Sequence, residues 1–157
     1  MYPLSESQLD RFMMLVSLNI PVAEEELSVY RKHANAEAVR LSAASSLSSS
    51  ELLEYRAEVG KVFVEESLLR YSQEIAQKLR TTDDVVHAAS VRSMLQLIDA
   101  AKARAFLFDR EFVLPEDISK LAPDILGHRL CFRSGEVSSL QRKEIVRDAV
   151  DRVDPPR

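Results

Sequence analysis

The sequence predicts a mainly α protein: a helical bundle with short β pieces at about 61–64 and 111–114 and a helix–strand segment at its N-terminus. Composition and periodicity carry that prediction. Ala, Leu, Glu, Arg and Ser dominate the chain, and all of these except Ser are strong helix formers. Only 3 of the 157 residues are Gly, so few positions invite a break. Apolar residues recur at three- and four-residue spacing through most of the chain, the period of a buried helix face.

Leu4 to Met14 reads as a short helix. Ser5 suits the N-cap and Gln8 stands three residues on, the spacing of a capping box. Leu9, Phe12 and Met13 share one face. Leu15 to Ile20 is a strand candidate, and Pro21 ends it. Val22 to Ala34 is a helix whose first turns carry Glu24, Glu25 and Glu26, at the positive end of its dipole. Arg31, Lys32 and His33 fall at the other end, and Ala23, Leu27, Tyr30 and Ala34 form its apolar face. Leu41 to Ser50 is a serine-rich loop, with Ser49 or Ser50 expected to cap a helix that runs to about Gly60.

Lys61 to Val64 is short, apolar and β-branched. Glu65 to Arg80 is a helix with Leu68, Tyr71, Ser72, Ile75 and Leu79 in line. Thr81 to Ala89 reads as a polar turn. Ser90 to Phe108 is the strongest helix, with an expected buried stripe of Val91, Met94, Leu95, Ile98, Ala101 and Ala105. Arg92, Gln96, Asp99 and Lys102 fall on its wet side. Glu111 to Leu114 is extended and can pair with Lys61 to Val64. Pro115 then opens a helix, with Glu116 and Asp117 behind it. Ser138 to Val153 is a terminal amphipathic helix built on Leu140, Ile145, Val146, Ala149 and Val153.

Composition narrows the functional classes. Hydrophobic residues make up 46% and charged residues 29%, enough apolar content for one folded domain with a core. The net charge of −4 argues against nucleic acid as a partner. No apolar run approaches the roughly 20 residues of a membrane helix, and the N-terminus does not read as a signal peptide. The lone Cys131 has no partner for an internal disulfide, which fits a reducing compartment. The expectation is a cytoplasmic protein with no nucleic-acid and no membrane partner.

Catalytic motifs are scarce. A phosphate-binding loop needs a glycine-rich turn ending in Gly-Lys-Ser/Thr, whose N–H groups wrap the phosphates. Gly60-Lys61 is followed by Val62, and no glycine stands five residues earlier. No apolar strand ends in Asp-Glu to hold magnesium. Glu24, Glu25 and Glu26 read as a helix N-terminus rather than an acid/base pair. His33, His87 and His128 lack metal-ligand spacing and read as solvated or capping residues, and Cys131 as a small buried apolar residue. No metal and no cofactor are expected on this chain alone. Two arginines stand out instead. Arg11 sits in Gln8-Leu9-Asp10-Arg11-Phe12, before the strand candidate. Arg92 opens the strongest helix, where free N–H groups and the dipole suit an anion. On periodicity alone both are polar-face residues.

The order of motifs resembles MoxR-type AAA+ ATPases, which are related in their lid to the magnesium-chelatase ATPase subunit. Tyr2-Pro3-Leu4-Ser5-Glu6-Ser7-Gln8-Leu9-Asp10-Arg11-Phe12 is similar to a segment late in that family's ATPase core. Ala89-Ser90-Val91-Arg92, then Asp109-Arg110-Glu111-Phe112-Val113-Leu114-Pro115-Glu116-Asp117-Ile118, then Ile125-Leu126-Gly127-His128-Arg129 follow the motifs of its helical lid. Val91 stands where the family has proline, Asp109 where it has glycine, and Leu114 where it has a better N-cap. Asp109 is then expected to adopt a left-handed conformation.

The resemblance implies a helical lid bundle at 22–133, a remnant of the AAA+ αβ core at 1–21 and a C-terminal helix and tail at 134–157. It implies that Arg11 is an arginine finger acting in trans and that Arg92 is a sensor-2 arginine. ATP and magnesium would be the cofactors of the parent family, in ATP-driven, chaperone-like remodelling. Other AAA+ subunits and a von Willebrand factor A-domain protein would be the partners. A lid without a phosphate loop fits either a truncated, split or excised piece of such an ATPase or a free-standing module that regulates an intact one. A winged-helix-like DNA binder is a weaker alternative. With no neighbouring strand for 15–20, residues 1 to 21 are expected to be poorly ordered, repacked or paired with another copy, beside a stable bundle at 50–130.

Overall fold

The computed structural model describes residues 4–18, 20–34, 47–135 and 137–156. The masses of contacts divide into two units, Met1–Leu15 with Tyr55–Arg157, and Val16–Glu54. The larger unit holds the bundle. Most of the serine-rich loop, residues 41–46, lies outside the described residues.

The chain enters through a single turn of helix, α1 (Glu6–Leu9), shorter than the expected Leu4 to Met14. Its cap is the anticipated one: Gln8 Oε1 accepts from the Ser5 N–H at 2.9 Å. The following segment corrects the strand expectation. Residues 15–18 and 20 form no strand, and Val16, Leu18 and Ile20 are 67%, 93% and 88% exposed. An alternating apolar run becomes a strand only where another strand supplies its ladder. Here the Leu15 N–H instead reaches the Asp124 carbonyl at 2.9 Å.

In the smaller unit, α2 (Ala23–Ala34) has the predicted charge layout but buries none of its residues. Glu25 Oε2 accepts from the Val22 N–H at 3.3 Å, so the glutamates do serve the helix N-terminus. The next helix, α3 (Ser49–Lys61), is capped by Ser48 and not by Ser49 or Ser50. Ser48 Oγ accepts from the Glu51 N–H at 3.2 Å, and Glu51 Oε2 accepts from the Ser48 N–H at 2.8 Å. The capping box therefore sits one residue earlier than serine counting suggested.

Four helices make the bundle core. The predicted face of α4 (Glu66–Arg80), Leu68, Tyr71, Ser72, Ile75 and Leu79, is buried. The stripe on α5 (Val91–Leu107) is rotated from the expected one: Ser93, Leu97, Ala100, Ala101 and Ala105 are buried. Val91 and Leu95 are 72% and 58% exposed. Small residues on the true face let α6 (Pro115–Leu126) approach closely, and Ile118, Ala122, Ile125 and Leu126 fill that contact. The last helix, α7 (Ser139–Asp151), is capped by Ser138 and closes the bundle with Val146, Ala149 and Val150. Leu140, expected in its core face, is 64% exposed.

The β structure differs in place from the prediction. The pieces at 61–64 and 111–114 meet in a single parallel bridge, Phe63 with Phe112. The two-stranded sheet is elsewhere: β1 (Val85–His87) pairs antiparallel with β2 (Cys131–Phe132). The three residues of β1 lie inside the expected polar turn. Asp84, at φ 67°, turns the chain into β1, and its carboxylate accepts from the Ser134 N–H at 3.0 Å.

One ionic knot fixes the α5–α6 corner. Asp117 is 1% exposed, and its carboxylate accepts from the Leu114 N–H at 2.8 Å. Arg110 donates to both of its oxygens at 2.7 Å, and Arg104 Nη1 lies 3.3 Å away. Asp109 adopts the expected left-handed conformation, φ 54°, which aims Arg110 back at this carboxylate. Asp117 thus makes the reciprocal half of a capping box, accepting from the Leu114 N–H, although the Leu114 side chain cannot cap.

Candidate functional site

The two sequence-selected arginines lie at one corner of the larger unit. Ser90 is the N-cap of α5, with its backbone extended and its Oγ accepting from the Ser93 N–H at 3.2 Å. That cap starts the helix with Val91 at its first position. Arg92 follows on the exposed face, with its side chain 65% accessible. Its Nη1 lies 3.8 Å from Asp10 Oδ2. Asp10 is the residue before Arg11, in the turn that leaves α1.

Asp10 draws three lid groups onto that turn. Besides Arg92, Ser90 Oγ donates to its Oδ1 at 3.3 Å, and Arg129 Nε lies 3.7 Å from the same oxygen. The next carbonyl but one, that of Phe12, accepts from Arg129 Nη2 and lies 3.0 Å from His128 Nε2. A carbonyl only accepts, so His128 carries its proton on Nε2. Burial pushes the His128 imidazole below the usual histidine range, and the charge of Arg129 adds to this. Both residues belong to the 3₁₀ turn Gly127–Arg129 that follows α6.

Arg11 is not held by these anchors. It is exposed, and its guanidinium makes no hydrogen bond or ion pair with a described residue. The turn around it is firm at the backbone: the Arg11 N–H reaches the Gln8 carbonyl at 3.2 Å, and the Phe12 N–H the Leu9 carbonyl at 3.1 Å. The corner therefore presents a solvated guanidinium on a pinned turn.

Arg129 is the residue periodicity did not single out. Its side chain is 2% exposed, Nη2 also donates to Gln96 on α5, and burial lowers its proton affinity. Its Nε and Nη1 have no hydrogen-bond partner among the described residues. Two guanidiniums and a helix N-terminus thus share one carboxylate, which leaves the corner electropositive and suited to phosphate oxygens. The sequence signal for Arg129 lay in the Gly127-His128-Arg129 motif, whose histidine and arginine both point back to the N-terminal turn.

The remaining titratable residues do not gather. His33 and His87 are exposed, and Cys131 is half-buried with its Sγ 3.7 Å from the Arg129 carbonyl. Among the described residues no group of three or more His, Cys, Asp or Glu is placed to hold a metal ion. No helix among them is long and apolar enough to cross a membrane.

Comparison with known proteins adds a context to this corner. The AAA lid domain family matches residues 77–149. The chain is 32% identical over 156 residues to the uncharacterised protein YeaC of Bacillus subtilis, covering 99% of this chain and 48% of that protein. It is 29% identical over 155 residues to the chaperone MoxR1 of Mycobacterium tuberculosis, covering 92% of this chain and 40% of MoxR1. The crystal structure of a candidate ATPase from Cytophaga hutchinsonii superposes with a TM-score of 0.81 at 32% identity, over 99% of this chain and 50% of that one. The chain thus spans about half the length of the curated relatives it matches.

Proposed function

Since this chain corresponds to the C-terminal, lid-bearing part of a MoxR-family AAA+ ATPase, we propose that it presents Arg11 and Arg92 to nucleotide phosphates in an ATP-driven, chaperone-like assembly of AAA+ subunits. Arg11 acts in trans as the arginine finger, and Arg92 acts as the sensor-2 arginine. The observation that supports this most is the Asp10 corner. It holds the Arg11 turn against the first turn of α5 while leaving Arg11 unpaired among the described residues and Arg92 only loosely held.

Each part of the corner has a distinct task in this reading. Ser90 fixes where α5 begins and so where Arg92 stands. Arg129 and His128 hold the Phe12 carbonyl, so that Arg11 projects from a turn anchored on the bundle. A guanidinium brought to the phosphate stabilises charge that develops in phosphoryl transfer. ATP with magnesium supplies the transferable phosphoryl group. The phosphate loop comes from outside these residues, and a von Willebrand factor A-domain protein is a candidate partner.

A mixing experiment in the assembled ATPase tests this. Arg11→Ala is expected to lower kcat by about 10³–10⁵ while nucleotide still binds. Mixing Arg11→Ala subunits with subunits whose phosphate loop is disabled should restore activity, because the finger of one then serves the nucleotide of the other. Full activity in Arg11→Ala would remove the finger role. A titration of the 157-residue chain with ATP should give no tight binding. Tight binding by the chain alone would overturn the proposal that its arginines serve a nucleotide held elsewhere.

A further inference from the structure

The Asp10 carboxylate is held unequally. Through Oδ1 it faces Ser90 Oγ at 3.3 Å and Arg129 Nε at 3.7 Å, and the Arg129 side chain is only 2% exposed. Through Oδ2 it faces Arg92 at 3.8 Å, and that side chain is 65% exposed. One side of the grip is thus anchored in the bundle, while the other is a solvated ion pair that competing anions and salt can take over. Arg129 has further anchors in the Phe12 carbonyl and Gln96, so it stays in place when Arg92 leaves.

We infer that Asp10 is a positioning residue that transmits the state of Arg92 to the Arg11 turn. A phosphate group that engages Arg92 withdraws it from Oδ2, and the turn is then held by Ser90, Arg129 and His128 alone. Arg11 gains freedom to reach outward when Arg92 is occupied, so finger and sensor respond to one event. This rests on the sensor reading of Arg92 and adds to it a named coupling residue. The charge of Arg92 works against the buried Arg129 guanidinium, so the withdrawal of Arg92 relieves a like-charge contact.

The Leu15 amide is the natural reporter. It is bonded to the Asp124 carbonyl at 2.9 Å, just beyond the turn, and exchanges with solvent only when the turn lifts from the bundle. The Ser93 amide, one residue beyond Arg92, reports anion binding by its NMR shift. Inorganic tripolyphosphate titrated into the full 157-residue chain should move Ser93 and speed Leu15 exchange by roughly two- to five-fold, with the same midpoint. Arg92→Gln should abolish both responses. Asp10→Asn should make Leu15 exchange fast from the outset, with Ser93 still responding and Leu15 no longer doing so. Unchanged exchange at Leu97 and Ile118 confirms that the bundle stays folded in each variant. If Ser93 moves and Leu15 does not, the coupling is overturned while the sensor reading stands. Leu15 responding equally in Arg92→Gln also overturns the coupling. If neither amide moves in the native chain even at saturating tripolyphosphate, the coupling is overturned, while the sensor reading is decided in the assembled ATPase.

Discussion

At the scale of single residues, Asp117 and His128 carry charge states that the fold dictates. Burial works against the Asp117 carboxylate, but hydrogen bonds from Arg110 and the Leu114 N–H, with the charges of Arg110 and Arg104, more than offset it. Its carboxyl is held below the usual range, so its stabilising contribution is present above the unfolded carboxyl range and is lost as pH falls through the lowered value. Asp117→Ala leaves two guanidiniums without their carboxylate. It should cost about 3–5 kcal/mol in urea unfolding at neutral pH, with the difference from the native chain narrowing in acid. His128 is also shifted downward, chiefly by burial. The unfolded chain then binds the extra proton first, so stability falls as pH drops below about 6.5 and the loss is complete below the lowered value. His128→Gln should flatten that dependence, as read from thermal unfolding between neutral and mildly acid pH. Arg11 and Arg92 were visible in sequence because motif order singled them out. Asp10 and Arg129 stand in the same motifs, but their pairing was not legible, because a long-range carboxylate–guanidinium contact leaves no periodic trace along the chain.

At the scale of elements, α5 shows what alanine-rich helices conceal. Ala101 and Ala105 are buried as expected, but Val91 and Leu95 are exposed, and Ser93, Leu97 and Ala100 are buried instead. Hydrophobic counting rewards large side chains, whereas close helix packing rewards small ones. Ala101 is fully buried within this contact. Ala101→Leu should therefore overpack it and cost about 1–3 kcal/mol, while Leu95→Ala, on the exposed side, should shift the denaturation midpoint little. The helices α4, α6 and α7 were legible because caps, the N1 proline and apolar spacing all agreed. The expected strand at 15–20 was not realised, since alternation states what a segment can do and only a neighbouring ladder makes it do so. The sheet of β1 and β2 escaped notice for a related reason: a run of three residues is too short to show a period, and its partner lies more than forty positions away along the chain. Asp109, at φ 54°, takes the left-handed conformation that the motif resemblance led one to expect. Asp109→Val should be destabilising by about 1–2 kcal/mol in thermal unfolding, because a β-branched side chain fits that conformation worst.

At the scale of the whole molecule, the bundle gathers its core from four consecutive helices, so its packing is largely between neighbours in sequence. What the fold presents outward is the corner where the N-terminal turn meets α5, and the ATPase mixing experiment belongs to this scale because it asks whether one subunit completes another. The short sheet has a separate consequence. Joining Val85–His87 to Cys131–Phe132, and Asp84 to Ser134, it ties off the intervening chain as a closed loop that contains α5 and α6. The helical hairpin inside that loop meets locally and assembles early, whereas the tie must bring distant residues together and forms late. Once formed, it is a clasp: a pull on the outer ends of the chain is borne first by two short strands, and the hairpin within is spared until they part.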